Sequence, residues 1–287
     1  ADGASVTVCG WAKTVRDSKN IGFIELSDGS CFKPLQVVFE AAKLENYKDI
    51  AKAGVGTSLV VTGRVVLTPG AKQPLEVNAD SIRVLGACPP EYPLQKKRHT
   101  LEYLRTIPHL RVRTNTFNAV FRVRSVVSAC IHEFFQSRGF VYVHTPLITA
   151  RDCEGAGEMF KGTTIGYSND YKSEEEYYAD DFFGRRAALS VSGQLEGEVA
   201  AMALGKIYTF GPSFRAEKSN TPRHVAEFWH VEPEVAFAEL PDIIEIAEAL
   251  IKHIISTVLE KCPEELKFFD KHFENGLVEK LTAVASH

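Results

Sequence analysis

Between Val6 and Leu85 short β-rich segments follow one another: VTVCGWAKTVR, IGFIELSDGS, LQVVFE, SLVVTGRVVLT and LEVNADSIRVLG. The turns between them, SKN, SDGS, GVG and TPG, carry residues that tolerate tight or left-handed backbone. One interval, AAKLENYKDIAKAG, has helical composition instead. Several short strands with one helix in so short a stretch predict a small β-barrel. Whether that barrel binds anything, composition leaves open.

The chain is longer than one such barrel. Its 287 residues, 45 % of them hydrophobic, predict two domains. The expected boundaries are a barrel at 1–88, a hinge at 89–114 and a second domain at 115–287. No apolar run approaches membrane-spanning length, and the start lacks a basic-then-apolar signal pattern, so a cytoplasmic protein is expected. The six cysteines lie far apart without metal-ligand spacing and read as free thiols. A net charge of -4 and a pI near 6.2 argue against a non-specific polyanion binder. The chain begins at Ala1 without a Met, which reads as a trimmed start.

Pro89, Pro90 and Pro93 stiffen the hinge, and Lys96, Lys97, Arg98, Arg105, Arg111 and Arg113 make it cationic. Such a run is either a solvated face or a track for a phosphate backbone. Residues 117–138 have helical spacing, with Val120, Val123, Val127, Cys130, Ile131 and Phe134 in one apolar stripe and Gly139 as C-cap. An extended stretch, FVYVHTPLIT, follows. The acidic block YSNDYKSEEEYYADD reads as an exposed, non-periodic insertion. Residues 241–260 predict an amphipathic helix with Ile243, Ala247, Leu250, Ile251, Ile254 and Val258 on one side.

The most unusual stretch is FGPSFRAEKSNTPRHVAEFWHVEPEVAF, Phe210 to Phe237. If IYTFGPSFRAE and HVAEFWHVEPEVAF are paired antiparallel strands, period-two alternation puts Arg215 and Glu217 on one face of the first strand. On the second it puts His224, Phe228, Glu232 and Glu234 on one face. A guanidinium, an aromatic ring and carboxylates beside a basic loop suit a nucleoside triphosphate with Mg²⁺. A surface hairpin with scattered ion pairs is the plainer alternative. His230 and His253 match no motif and read as ordinary packed or solvated histidines.

The pattern F-R-x-E, a variable loop, then H-x-x-x-F-x-x-x-E resembles motif 2 of the class II aminoacyl-tRNA synthetases. The helix at 117–138 followed by GFVYVHTP resembles their motif 1. The resemblance implies an α+β fold: an OB-fold barrel binding the anticodon, then a catalytic domain on an antiparallel sheet with flanking helices. It implies Arg215 and Glu217 as catalytic groups, Arg215 at the α-phosphate, and ATP contacts from Arg215, Glu217, Arg223, His224 and Phe228, the last stacking on adenine. Pro146 is implied at a homodimer interface. Within the aspartyl, asparaginyl and lysyl branch, Phe23 is implied as the aromatic that stacks on an anticodon base, with Gln36 and Glu76 reading base edges. Phe23 as plain barrel core is the alternative.

CEGAGEMF looks like the loop that closes over the amino acid in the asparagine-specific members, and LSVSGQLEGE aligns with a Q-S-P-Q-x-x-K stretch of the aspartate-specific ones, implying Glu154, Glu158, Ser192 and Gln194 as amino-acid contacts. Gly197 falls where aspartate-specific members place a lysine, and the missing cation suits a neutral amide. The implied reaction joins L-asparagine to tRNA(Asn) through an adenylate, with ATP and Mg²⁺. An aspartate-specific enzyme of relaxed tRNA choice and a non-catalytic tRNA-binding paralogue are the alternatives. The family's third motif, G-x-G-x-G-x-E-R, does not occur after Phe237. A truncated piece, inactive by itself, is therefore the expectation.

Overall fold

The computed structural model describes residues 2–71, 73–153, 155, 157–166, 170–219, 221 and 223–287. Two compact units emerge, one of Ala1–Val126 with Val258–Leu281, the other of Val127–Thr257 with Thr282–His287.

In the first unit β1 (Ser5–Asp17), β2 (Ile21–Ser27), β3 (Leu35–Glu40), β4 (Ser58–Leu67) and β5 (Leu75–Gly86) form a closed barrel in the order β1-β2-β3-β5-β4. Within this barrel β3 and β5 pair in parallel, and the helical interval with β4 supplies the long crossover that such a pair needs. Alternation along each strand sends Ile24, Leu26, Val37, Phe39, Leu59, Val61, Val77 and Ala79 into one apolar core. Gly22 has no alternative there, because a Cβ at that position would fall 2.0 Å from the Phe39 ring. The interval itself forms α1 (Tyr47–Ala51), which plugs the barrel with Tyr47 and Ile50. The Tyr47 hydroxyl donates to Asp17 at 2.6 Å, and burial together with that carboxylate pushes its pKa up to about 12.

The cationic connector is more structured than a solvated charge run. It forms α2 (Leu101–Thr106), capped by the Thr100 hydroxyl accepting the Tyr103 N–H, and α3 (Pro108–Arg111). Arg113 donates to the Tyr92 hydroxyl at 3.1 Å, and its carbonyl accepts from Lys13 of β1 at 2.7 Å. Burial, then the Arg113 charge, lowers the Lys13 pKa from the ordinary lysine value.

The second unit holds the C-terminal part of α4 (Asn115–Ser137) from Val127 on, then β6 (Val141–Tyr142), β7 (Ile148–Thr149), β8 (Lys161–Gly162), α5 (Glu174–Ala179), β9 (Ala187–Leu189), α6 (Gln194–Leu204), β10 (Lys206–Phe214), β11 (Glu227–Val235) and most of α7 (Leu240–Lys261). One sheet runs β11-β10-β6, with β10 and β11 antiparallel; a smaller one runs β7-β9-β8. Ile131, Phe134 and Phe135 of α4 pack with Tyr208 and Phe210 of β10, and α7 adds Ile246, Ala249, Leu250 and Ile254.

Two sequence expectations change here. The apolar side of α7 that meets the core is rotated from the predicted stripe, since Ile243 and Ile251 are 37 % and 52 % exposed. The two exposed positions are as apolar as the buried ones, so periodicity could not separate them. The acidic block is also not a bare insertion. Ser173 caps α5 by accepting the Glu176 N–H, Glu176 accepts the Lys172 N–H at 2.8 Å, and Tyr178 and Asp181 are buried. Asp181 accepts both the N–H and the hydroxyl of Thr164, and these bonds hold its carboxyl well below the usual range. The chain continues through α8 (Pro263–His272) and α9 (Leu277–Ser286); the six cysteines are free thiols, and no helix among the described residues is long and apolar enough to cross a membrane.

Candidate nucleotide and amino-acid site

β10 and β11 register Ser213 against Phe228 and Thr209 against Glu232, so their facing side chains share one surface. The strands are shorter than the alternation argument assumed. β10 stops at Phe214, leaving Arg215 and Glu217 in the segment just beyond it, and β11 starts at Glu227. One more backbone bond, Arg215 N–H to the Ala226 carbonyl at 3.0 Å, keeps Arg215 beside the second strand. Its guanidinium carbon lies 5.3 Å from the centroid of the Phe228 ring, and its Nε is buried without a hydrogen-bond partner.

His224 departs from the expected strand face. It sits exposed in the loop, where its Nδ1 meets the hydroxyls of Thr221 and Ser219, because local hydroxyl partners outcompete strand pairing. Arg223 is exposed in the same loop, its N–H 3.4 Å from the Thr221 hydroxyl.

Gly157 and Glu158 of CEGAGEMF come to this site. The Glu158 carbonyl accepts the Ala216 N–H at 2.6 Å. Gly157 lies against the motif: a Cβ there would be 3.1 Å from Arg215 Cγ and Cδ and 3.2 Å from Glu217 Oε1. Glu158 also lines a cleft of about 440 Å³ with Asp152, Met159 and Arg186. Glu154 lies outside the described residues.

Ser192 and Gln194 stand at the entry to α6, beside the sheet. The Gln194 amide donates to Glu198 at 2.9 Å, and the buried Cys153 thiol lies 4.0 Å from its oxygen. Ser192 donates to Glu232 Oε1, while Glu232 Oε2 accepts the Gly193 N–H and the Thr209 hydroxyl, both at 3.0 Å. Gly193 must be glycine, since a Cβ would sit 2.7 Å from Thr145 Oγ1. Gly197 is buried against Ile207 and Glu234, so its immediate structural effect is to let α6 lie close on the sheet. Burial first, then the charges of Glu198 and Glu232, raises the Glu234 pKa. Pro146 is exposed between β6 and β7 and borders the same cleft as Gly193 and Glu232.

The sequence placed Glu232 on the site face without its role as a strut, and read His230 as an ordinary packed or solvated histidine. Position parity alone puts His230 on the face of Phe228 and Glu232. Its Nδ1 is 3.3 Å from Glu232 Oε1 and 3.3 Å from Ser213 Oγ. Thr209 and Thr145 left no sequence signal, because their part arises only when distant segments meet.

On the barrel, Phe23 is half-buried on the outer face, between inward Gly22 and Ile24, with Arg16 6.0 Å from its ring. It is not part of the core cluster. Gln36 and Glu76 are register partners on adjacent strands and their side chains bond at 2.9 Å. Glu25, opposite Gln36, continues the patch on β2. The three residues singled out from the sequence thus share one outward surface.

The chain is similar to known proteins over both parts of its length. Residues 6–85 match the OB-fold nucleic acid binding domain, and residues 100–283 match tRNA synthetases class II (D, K and N). The asparagine–tRNA ligase of Acetivibrio thermocellus is 58 % identical over 286 residues, 99 % of this chain and 62 % of that protein. The corresponding ligase of Clostridium novyi is 55 % identical over the same span, again 62 % of its length. Among solved structures, asparaginyl-tRNA synthetase from Pyrococcus horikoshii complexed with asparaginyl-adenylate superposes with a TM-score of 0.82 at 28 % identity, covering 99 % of this chain and 60 % of that one. The chain therefore spans about 62 % of the length of these curated relatives. With the barrel topology, the paired β10 and β11 and the match over residues 100–283 in agreement, the chain belongs to the class II tRNA synthetases of the D, K and N group.

Proposed function

We propose that this chain carries the anticodon-binding barrel and the motif 1 and motif 2 part of the catalytic domain of an asparagine–tRNA ligase. The observation that carries the reading is Arg215: a guanidinium against the Phe228 ring, with a buried Nε still lacking an acceptor, beside the Gly157–Glu158 segment. A phosphate oxygen satisfies such a donor, and a ring of this kind accepts a stacked base. The identity to asparagine–tRNA ligases of A. thermocellus and C. novyi supports the same conclusion.

In the proposed reaction the asparagine carboxylate attacks the α-phosphorus of ATP. A P–O bond forms to the carboxylate, the bond to the β-phosphate bridge breaks, and pyrophosphate leaves. Arg215 stabilises the charge that builds on the α-phosphoryl oxygens, and Phe228 orients the adenine. The terminal ribose hydroxyl of tRNA(Asn) then displaces AMP. Mg²⁺ supplies additional charge neutralisation on the phosphates when bound. Among the described residues no group of three or more His, Cys, Asp or Glu is arranged to hold a metal, so no residue here is assigned to it.

Asparagine fits better than aspartate on electrostatic grounds. Gln194 donates to the Glu198 carboxylate, and burial followed by the charges of Glu198 and Glu232 raises the proton affinity of Glu234 nearby. A second anion there is unfavourable, and a neutral amide is not. Pairing of two copies near Pro146 belongs to the same proposal.

ATP–pyrophosphate exchange tests it. These 287 residues lack the G-x-G-x-G-x-E-R arginine, so they alone support no asparagine-dependent exchange yet bind ATP through Arg215. Appending the C-terminal third of a relative restores exchange with asparagine and not aspartate. Exchange driven by aspartate in that chimera, or ATP binding indifferent to Arg215→Ala, overturns the reading.

A further inference from the structure

We propose that His230 is a positioning residue for the amino-acid side of the site, holding the Ser192–Gln194 turn through Glu232; the proposal rests on the synthetase reading for the name of the ligand and on geometry for the rest.

A carboxylate has two oxygens with two acceptor directions each. The Glu232 carboxylate accepts three hydrogen bonds on protein, and His230 Nδ1 stands 3.3 Å from Oε1 beside them. Oε1 faces the Ser192 hydroxyl and His230 Nδ1, and Oε2 takes the Gly193 N–H and the Thr209 hydroxyl. The side chain is only 12 % exposed, so a direction left empty is not freely filled by water. Ser192 in turn accepts the Gln194 N–H at 3.1 Å, and Gly193 accepts the Gly197 N–H at 2.9 Å. Glu232 on β11 is thus the strut that fixes the first turn of α6, and His230 is the one of its four partners that lies on its own strand.

The groups facing His230 are Ser213 across the strand pair and Phe228 and Glu232 along it, the Phe228 ring at 5.4 Å. Glu232 can only accept, so the 3.3 Å contact is favourable only with a proton on Nδ1. Ser213, which can donate or accept, adapts. Removing the imidazole frees Oε1 to rotate away from Ser192 and loosens the turn that carries Gln194. Phe228 loses its ring contact with the imidazole but keeps the Arg215 guanidinium at 5.3 Å on the nucleotide side.

The test combines spectroscopy and ligand titration on this chain. Nitrogen NMR of the histidine rings is expected to show His230 protonated at Nδ1, and this proton to disappear or exchange rapidly in Glu232→Gln. The Gly193 and Gln194 amide resonances shift in His230→Met and return toward wild type in His230→Asn, whose side-chain amide keeps a donor near the Nδ1 position. With asparagine titrated in, His230→Met weakens Kd about tenfold, the equivalent of ~1.4 kcal/mol. The Kd for ATP stays within about twofold, as expected when one bond to a charged group is lost on one side of the site. A His230 ring unprotonated at Nδ1, or Gly193 and Gln194 resonances unmoved by His230→Met, overturns the proposal. So does an equal loss of asparagine and ATP binding in both variants, which marks a merely structural role. If these 287 residues bind no asparagine, the titration is run on the chimera carrying the C-terminal third of a relative, whose failure to take asparagine counts against the synthetase reading, and the Nδ1 proton and the two amide resonances still decide His230.

Discussion

The guanidinium carbon of Arg215 lies 5.3 Å from the centroid of the Phe228 ring, one group at the end of a strand pair and the other on its return strand. A cation over an aromatic face is modestly favourable, yet Nε of the same side chain is buried without an acceptor. The pair therefore holds a charge in place with unused hydrogen-bonding capacity.

Arg215→Ala is expected to weaken ATP binding about 30-fold, the ~2 kcal/mol typical of a charge-assisted bond to phosphate. Arg215→Lys recovers only part of this, because an ammonium cannot reproduce the planar fork or the stacking. Phe228→Leu costs less than Arg215→Ala. Calorimetric titration with ATP decides the order, and an unaffected Arg215→Ala contradicts the assignment.

Gly193→Ala is expected to destabilise the second unit by about 1–3 kcal/mol, the usual range for forcing an atom into packed space. The added Cβ would sit 2.7 Å from Thr145 Oγ1 and 3.1 Å from Thr209 Oγ1. Combining it with Thr145→Ala recovers part of the loss, a coupling of roughly 1 kcal/mol between touching sites. Strictly additive melting data for the two changes would show that the clash is relieved elsewhere.

Glu234 binds its proton more tightly in the folded chain than in the unfolded one, through burial and then Glu198 and Glu232. Its contribution to stability is thus complete below the unfolded carboxylate pKa and is lost as pH rises through the higher folded value. Glu234→Gln removes this dependence. The melting temperature of the variant relative to wild type is expected to climb from the acid side of the carboxylate range toward neutrality. A pH-independent difference refutes the assignment, and Glu198→Gln is expected to lower the wild-type effect in the same direction.

Phe23→Ala is expected to weaken binding of a single-stranded anticodon-loop RNA by about 1–3 kcal/mol, the range for a lost stacking platform. It leaves barrel stability within about 1 kcal/mol, because the ring stands outside the core. Ile24→Ala, one position along and fully buried, has the opposite profile, with a core loss of about 2–5 kcal/mol. Thermal unfolding and RNA titration of the two variants separate the faces; a Phe23→Ala variant as unstable as Ile24→Ala returns Phe23 to the core.

Much of this protein could be read from residue order. Strand alternation from Val6 to Leu85, broken once by a helical interval, is a local signal, because period-two burial is written into each strand separately. So is the amphipathic spacing of α4, and so are Arg215 and Phe228, which lie close along the chain and meet through a single hairpin. What the order of residues could not decide is which of several apolar or polar sides finds a partner. Ile251 and Leu250 are equally apolar, and only the position of the sheet leaves the first exposed and partly buries the second. His224 is spaced like a strand residue, yet nearby hydroxyls hold it in the loop. The carboxylate of Glu232 becomes a strut only because Ser192, Gly193 and Thr209, from segments far apart in sequence, converge on its two oxygens. Burial periodicity is set residue by residue along the chain, whereas a filled hydrogen-bond shell around a buried charge depends on which distant donors arrive, and that is decided only in three dimensions.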